Sequence, residues 1–394
     1  MQHPKKPPFG TVVLLAIAGF VSGASMRVAD PLLPTLAGEF GVSIAQAALV
    51  LTAFMFAYGA FQAIHGPVGD GLGKLRVISI AMLVAAASAT ACAFSGSLGS
   101  LTTFRFLTGM SSGAVIPLSL AFIGDRFPYE GRQAILGRFI SGTLLGQSCG
   151  PLIGGVMSDA FGWRSTFGVI GASFLLVAVL IAREAGRNGD RGSGTYAMPW
   201  HRYAEIVRSA KARPVLFTVG IEGFLFFGAF GFVGAYLKQA FHLSDTVTGL
   251  IVAGFGLGGL MYSYLVPRLV KRLGETGLVR GGGYLLALFF VLIATLPAAW
   301  AVAPFVALQG FAFYMLHNTL QTRATEISPA SRGAGVSLFA MCMFLGQAAG
   351  VMAFGQAIHR WGYAVPFVAS GLALLVLSLR FRRSIIALRQ SGRV

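Results

Sequence analysis

Charge is what this sequence has least of. Only 11% of its 394 residues are charged, where a soluble domain carries about 25%. Acids are the scarcer sign, with 13 Asp and Glu against 30 Lys and Arg. So few charges cannot cover a water-facing surface of this size, which excludes a disordered chain and argues against a soluble single-core enzyme. Cysteine is nearly absent. Cys92, Cys149 and Cys342 are odd in number and lie in apolar runs. They are expected to be small packing residues, with no disulfide framework. The six histidines form no HExxH and accompany no paired CxxC, so no metal site and no cofactor are expected. The phosphate-binding pattern G-x4-G-K-[ST] is also missing, which argues against an ATP-driven pump.

What is present is apolar. Hydrophobic residues make up 55% of the chain and the mean hydropathy is +0.74. A membrane-crossing helix needs roughly 20 mainly apolar residues. Twelve such runs can be read, near 10–33, 45–66, 77–96, 99–123, 133–157 and 165–183, then 214–237, 246–267, 279–298, 301–322, 333–357 and 363–381. The first is uncharged from Phe9 to Met26. It is too long for the core of a signal peptide and no small-residue cleavage site follows, so it is expected to be a retained helix. No ten-residue alternation recurs, so spanning strands are not expected. The predicted class is all-α and polytopic, with 12 transmembrane helices.

The bases are not scattered. With both termini in the cytoplasm, all but Arg27, Arg105, Arg164, Lys238 and Arg360 fall in or beside the inner loops. The positive-inside rule predicts this orientation. The net charge of +17 then reports topology and contact with anionic lipid headgroups, not nucleic acid. The long polar segment 184–213 separates six spans from six. The expected organisation is therefore an N-terminal half, 1–183, a cytoplasmic linker, 184–213, and a C-terminal half, 214–394. Within the linker, Trp200–Ala212 reads equally as a surface helix at the membrane interface and as a solvated connection.

The halves look like repeats. Leu145-Gly146-Gln147 and Gly150 recur 200 positions later as Leu345-Gly346-Gln347 and Gly350. At the same offset Arg132 meets Arg332, Phe139 meets Phe339, Gly162 meets Gly362, Phe167 meets Phe367 and Pro67 meets Pro267. Parallel six-plus-six repeats imply a transporter with its site at the midplane between them.

Four motifs point the same way. Gly66-Pro67-Val68-Gly69-Asp70-Gly71-Leu72-Gly73-Lys74-Leu75-Arg76 follows the second span. Arg105 opens R-x-x-x-G-x-x-x-G with Gly109 and Gly113, and a charge inside an apolar helix normally faces the bundle interior or water. Gly137, Gly146, Gly150, Pro151, Gly154 and Gly155 fit G-x8-G-x3-G-P-x-x-G-G without a gap. Gly162-Trp163-Arg164 precedes Phe167 before the sixth span. Together these resemble the major facilitator superfamily, and the fifth-span glycines resemble the antiporter motif of its drug:proton antiporters. The resemblance implies that Gly66, Asp70, Gly73, Lys74 and Arg76 form a cytoplasmic latch. It implies a role for Arg105 in proton handling, and export in place of uptake. Gly71 departs from the family's usual basic residue, and Leu75 interrupts its basic pair.

The acids narrow the coupling site. Eleven of the 13 lie in loops or at their edges, which leaves Asp30 and Glu222. Glu222 is eight residues beyond Pro214, about 12 Å along a helix. A lone carboxylate at that depth can bind a proton or attract a cation, and it is the first choice of proton carrier. Asp30 lies one turn from Arg27 and near the depth of Arg105. The three read either as a cluster or as an interfacial ion pair ahead of Pro31 and Pro34. Tyr58, Gln62, Gln147, Phe226, Phe227, Phe230, Tyr236, His317, Asn318, Gln321 and Gln347 supply an aromatic and amide lining suited to an amphipathic substrate. The expected function is proton-coupled export of a small drug-like compound by alternating access, from a bacterial inner membrane and as a monomer. Export of a sugar, amino acid or other metabolite is the alternative. A non-transporting membrane protein is more remote, as is an acyltransferase reading of the H-x4-D spacing of His65 and Asp70.

Overall fold

The computed structural model describes residues 9–127, 129–188, 192–194, 200–328 and 332–390. Lys5, Lys6, Asp190, Arg191 and Arg393 of the charge pattern lie outside them. Every regular element among the described residues is helical. An apolar run in lipid has no water to bond its backbone, and a helix satisfies those groups internally.

In chain order the elements are α1 (Phe9–Arg27), a 3-10 turn (Asp30–Leu32), α2 (Leu33–Phe40), α3 (Ile44–Ala47), α4 (Leu49–Ala60), α5 (Gln62–Leu72), α6 (Lys74–Ala93), α7 (Leu98–Ser112) and α8 (Val115–Arg126). Then come α9 (Tyr129–Phe161), α10 (Trp163–Asn188), α11 (Trp200–Arg208), α12 (Ala212–Glu222), a π-helical turn (Gly223–Phe227), α13 (Gly228–Phe230) and α14 (Val233–Phe241). The last four are α15 (Asp245–Thr295), α16 (Ala299–Ala324), α17 (Arg332–Trp361) and α18 (Ala364–Gln390). Among the described residues nine helices are long and apolar enough to span a membrane, and ten if the pair Ile44–Ala60 and Gln62–Leu72, bent by 50°, counts as one span. Two features lie between that count and twelve. The 51-residue α15 is two helices meeting at Gly274 (φ 62°, ψ 177°). The glycine-rich α9, 33 residues long, is not among the ten.

The offset of 200 in the sequence is also an offset in the packing. A Cβ on Gly146 would meet the Phe20 carbonyl, and one on Gly346 the Gly220 carbonyl. Gly150 faces Ala24, and Gly350 faces Phe224. Gly23 lies on Thr143 and Gln147, and Gly223 on Met343 and Gln347. α1 against α9 is thus repeated by α12 and the π turn against α17. Without a hydrophobic drive between helices in lipid, close approach through small residues supplies the packing.

The loop expected after the second span is mostly helix. α5 runs on through Pro67 to Leu72, and Gly73 alone turns the chain into α6 with φ 100°, a conformation that only glycine adopts cheaply. α11 lies within the expected linker with Tyr203 and Ile206 buried one turn apart, and the Tyr203 hydroxyl donates to the Ala63 carbonyl at 3.3 Å. Burial pushes that phenol above its ordinary pKa.

Candidate functional site

Glu222 ends α12 and is fully buried. The helix relaxes into a π turn immediately after it, a distortion common at functional sites. Its Oε2 lies 2.8 Å from His317 Nδ1 on α16. Its Oε1 has no hydrogen-bond partner among the described residues. The imidazole is stacked on Phe313, with centroids 4.8 Å apart and planes 15° apart, and tilted against Phe339. A proton held between carboxyl and imidazole would leave the pair neutral. Gaining or losing a second proton changes a charge in a dry interior, where it is felt strongly.

A second charged group sits at the end of α1. Arg27 Nη1 donates to Asp30 Oδ2 at 3.1 Å, and both side chains are buried. The Arg27 guanidinium lies 4.3 Å from the centre of the Phe227 ring. Arg105, 1% exposed, points into the bundle and does not snorkel to headgroups. It donates from Nη1 to the Ser25 carbonyl at 3.0 Å and lies 4.1 Å over Phe54. Its Nε and Nη2 have no hydrogen-bond partner among the described residues. The Arg27–Asp30 pair opens on a small cavity of about 20 Å3, whose polar lining adds Gln147, Ser148 and Tyr314 and whose apolar lining includes Phe230 and Phe255.

The structure brings some of the expected residues together and leaves others apart. Gln147, Phe230 and Asp30 line the cavity. Phe226 is fully buried, stacked on Phe230 at 5.3 Å and packed on Phe313 at 4.5 Å. It therefore continues an aromatic wall from Phe227 to His317. Tyr58 is buried against Phe344. Gln62 and Gln347 are buried, and Gln347 Oε1 has no hydrogen-bond partner among the described residues. Asn318 donates to the Tyr262 hydroxyl at 3.2 Å. Gln321 is exposed, and Tyr236 packs on Tyr363.

Of the fifth-span motif, Gly146, Gly150 and Gly154 press on the backbone of α1 at Phe20, Ala24 and Val28. Gly155 presses on Asp245 and Thr246 of α15, and the Pro151 carbonyl faces Gly249. A Cβ at Gly137 would meet nothing within 4 Å. Of the loop motif, Lys74 holds both Asp70 and Asp125 at 2.7 Å. Ser193 N and Gly194 N donate to the carbonyls of Asp70 and Gly71 at 2.8 and 3.1 Å, so residues 192–194 lie along this motif. Gly66 has open space around its Cβ position, and Arg76 begins α6 with Lys74.

Three groups were missed from the sequence. Tyr314 and Phe255 looked like ordinary aromatics among 33 Phe and 10 Tyr. Asp245, read as a loop residue, is 3% exposed. It accepts from Thr35 at 2.9 Å and Ser158 at 2.7 Å, and pairs with Lys238. Asp159 accepts from the amides of Asp245 and Thr246 at 3.1 and 2.7 Å. This cluster ties α2 and α9 to α14 and α15. The first residue of α15 lying opposite an acid at the end of α9 was the available signal. Among the described residues no group of three or more His, Cys, Asp or Glu could hold a metal.

Comparison with known proteins identifies the family. The chain is 27% identical to the probable sulfoacetate transporter SauU of Cupriavidus necator, over 94% of this chain and 91% of that one. It is 24% identical to the multi-drug resistance efflux pump PmrA of Streptococcus pneumoniae, over 90% and 91%. The fold matches a bacterial homologue of the human lysosomal transporter Spinster with a TM-score of 0.74, at 18% identity and covering 96% of both chains. The family model of the Major Facilitator Superfamily matches residues 15–331 and 215–388. This chain is therefore an integral membrane transporter, not an enzyme, and belongs to the Major Facilitator Superfamily.

Proposed function

We propose that this protein exports a small amphipathic organic compound in exchange for protons. Two six-helix halves, 1–183 and 214–394, joined by the linker 184–213, rock around the central cavity. The twelve spans have both termini at the cytoplasmic face of a bacterial inner membrane, and a monomer suffices. The observation that carries the reading is the buried pair of Glu222 and His317 beside a π turn. A proton moving through it along a potential of 100 mV supplies about 2.3 kcal/mol. The glycine seam of α9 supports exchange, since a tightly packed contact restricts leakage while the halves switch. The pump PmrA, similar over nearly the whole chain, supports the drug-like class. A second reading, export of a small metabolite, is favoured by the similarity to SauU.

Growth inhibition of an efflux-deficient host across a compound panel tests this. Empty vector, wild type and Glu222→Gln are compared at matched expression. Resistance given by wild type and lost in Glu222→Gln is expected. Full resistance in Glu222→Gln rejects the coupling role. No resistance to any compound rejects the drug-like class and favours the metabolite reading, which profiling of the medium then tests.

A further inference from the structure

The two faces of α9 meet different surroundings. Arg138 and Gln147 are nine residues apart, which is two and a half turns, so they lie on opposite sides of the helix. Gln147 lines the small central cavity, and Arg138 lines a groove on the outside of the bundle. The floor of that groove is a glycine contact. A Cβ at Gly142 would lie 2.5 Å from the Ala16 carbonyl oxygen, and Gly146 meets Phe20 one turn further on. α1 and α9 therefore run side by side in the same direction, which sets Arg138 level with Val12.

The groove encloses about 270 Å3, walled by α1 from Val12 to Phe20. Val13 and Ile17 on that wall are 42% and 45% exposed, so the groove opens outward, where a membrane-spanning helix meets lipid. Its lining is wholly apolar. The exposed Arg138 therefore gives its methylene stem to the wall and carries its guanidinium beyond it, as long basic side chains do at an apolar surface. From Val12 to Phe20 is about 12 Å along the helix, and one leaflet of the hydrocarbon core is about 15 Å deep. Val12 is three residues from the start of α1 at Phe9, so the basic end of the groove lies where the bundle leaves the hydrocarbon. In the orientation proposed above this is the cytoplasmic leaflet, which carries anionic lipid.

We infer that this groove holds one acyl chain of an anionic phospholipid, with the phosphate on Arg138. An apolar groove within a leaflet accepts the tail of any lipid, and the guanidinium at its end decides between headgroups. A guanidinium fork matches a phosphate. A zwitterionic lipid brings the same tail, but its ammonium group offsets the charge that Arg138 attracts. The inference does not rest on proton-coupled export or on Glu222, and it uses the orientation only to name the leaflet.

Photolabelling of the full-length protein in mixed lipid–detergent micelles tests it. The probe is phosphatidylglycerol with a diazirine on one acyl chain, and peptide mapping locates the adducts. Adducts are expected on α1 around Val13 and Ile17. Unlabelled phosphatidylglycerol should compete them away, and phosphatidylcholine should need about fivefold more, the worth of one basic residue at an anionic surface. Arg138→Gln should abolish that difference, and Arg138→Lys, which keeps the charge, should retain most of it. Arg183→Gln, at the exposed end of α10 and outside the groove, should leave it unchanged. Ile17→Trp, which fills the groove from its exposed side, should lower labelling severalfold. The proposal is overturned if adducts spread evenly over the lipid-facing helices, if the two lipids compete equally, or if Arg138→Gln keeps the preference. It is also overturned if Arg183→Gln removes the preference as well, or if Ile17→Trp labels like wild type. Competition by inorganic phosphate would mark a free-anion site, and cross-links between two chains at Val13 or Ile17 would mark the seat of a second copy. Either result overturns the lipid assignment.

Discussion

Replacing His317 by Phe should destabilise the protein more than replacing both members of its pair. Glu222 is fully buried, and among the described residues its Oε1 has no partner and its Oε2 has only His317. His317→Phe therefore strands the whole carboxyl. An ionised carboxylate left unpaired inside a protein costs about 3–5 kcal/mol. The group avoids that by holding a proton, so the expected loss is that of an unsatisfied polar group, about 1–3 kcal/mol. Glu222→Leu strands a smaller donor, and the imidazole keeps its stack on Phe313, so about 1 kcal/mol is expected. The double variant Glu222→Leu/His317→Phe leaves no orphan and adds a ring to the stack with Phe313 and Phe339. It should match or exceed wild-type stability, with a coupling energy of about 1–3 kcal/mol between the sites. Thermal unfolding of the four proteins in one detergent gives the order. Transport should be lost in all three variants, because neither apolar residue carries a proton. Additive losses in the double variant would refute the reasoning, since two groups that hold each other cannot cost the same alone and together.

Three further outcomes follow from the packing and the cluster around Asp245. A side chain at Gly150 would start 2.6 Å from the Ala24 carbonyl oxygen and 3.1 Å from its Cα. Backbone cannot yield there as a side chain can, so Gly150→Leu should cost about 1–3 kcal/mol and stop transport, which vesicle flux and unfolding measure together. Asp245→Asn removes the charged partner of Lys238. For a partly exposed pair worth about 1 kcal/mol, the populations of the two states should shift about fivefold, read as a changed labelling rate of a cysteine placed at Gln147. Asp159 is exposed. Slight burial raises its pKa, but the Thr246 hydroxyl and the amides of Thr246 and Asp245 outweigh that and hold the carboxyl below its usual range. Its contribution is therefore present above the ordinary carboxylate pKa and is lost as pH falls through the lowered folded value. Wild-type stability should fall more steeply than that of Asp159→Asn in that acid window, as thermal unfolding across pH would show.

Much was already legible along the chain. Long uncharged runs leave a backbone in lipid only the helix, so fold class follows from composition. Glycine spacing became close approach because both are set by one period, 3.6 residues to the turn. The offset of 200 survived into the packing because each half buries the same small face: Gly146 on Phe20, Gly346 on Gly220. The depth of Glu222 was countable from Pro214. What the run of residues could not supply was rotation and pairing. A period locates a side chain along its helix and on one face, but it does not say which neighbour that face meets. Only the tertiary structure set Glu222 against His317, 95 positions away, turned Arg27 and Arg105 inward from the headgroups, and buried Asp245 beneath Lys238. Those contacts are decided by how whole helices pack, because they join separate helices held by backbone approach at glycines, among them Gly223 beside Glu222 and Gly155 against Asp245.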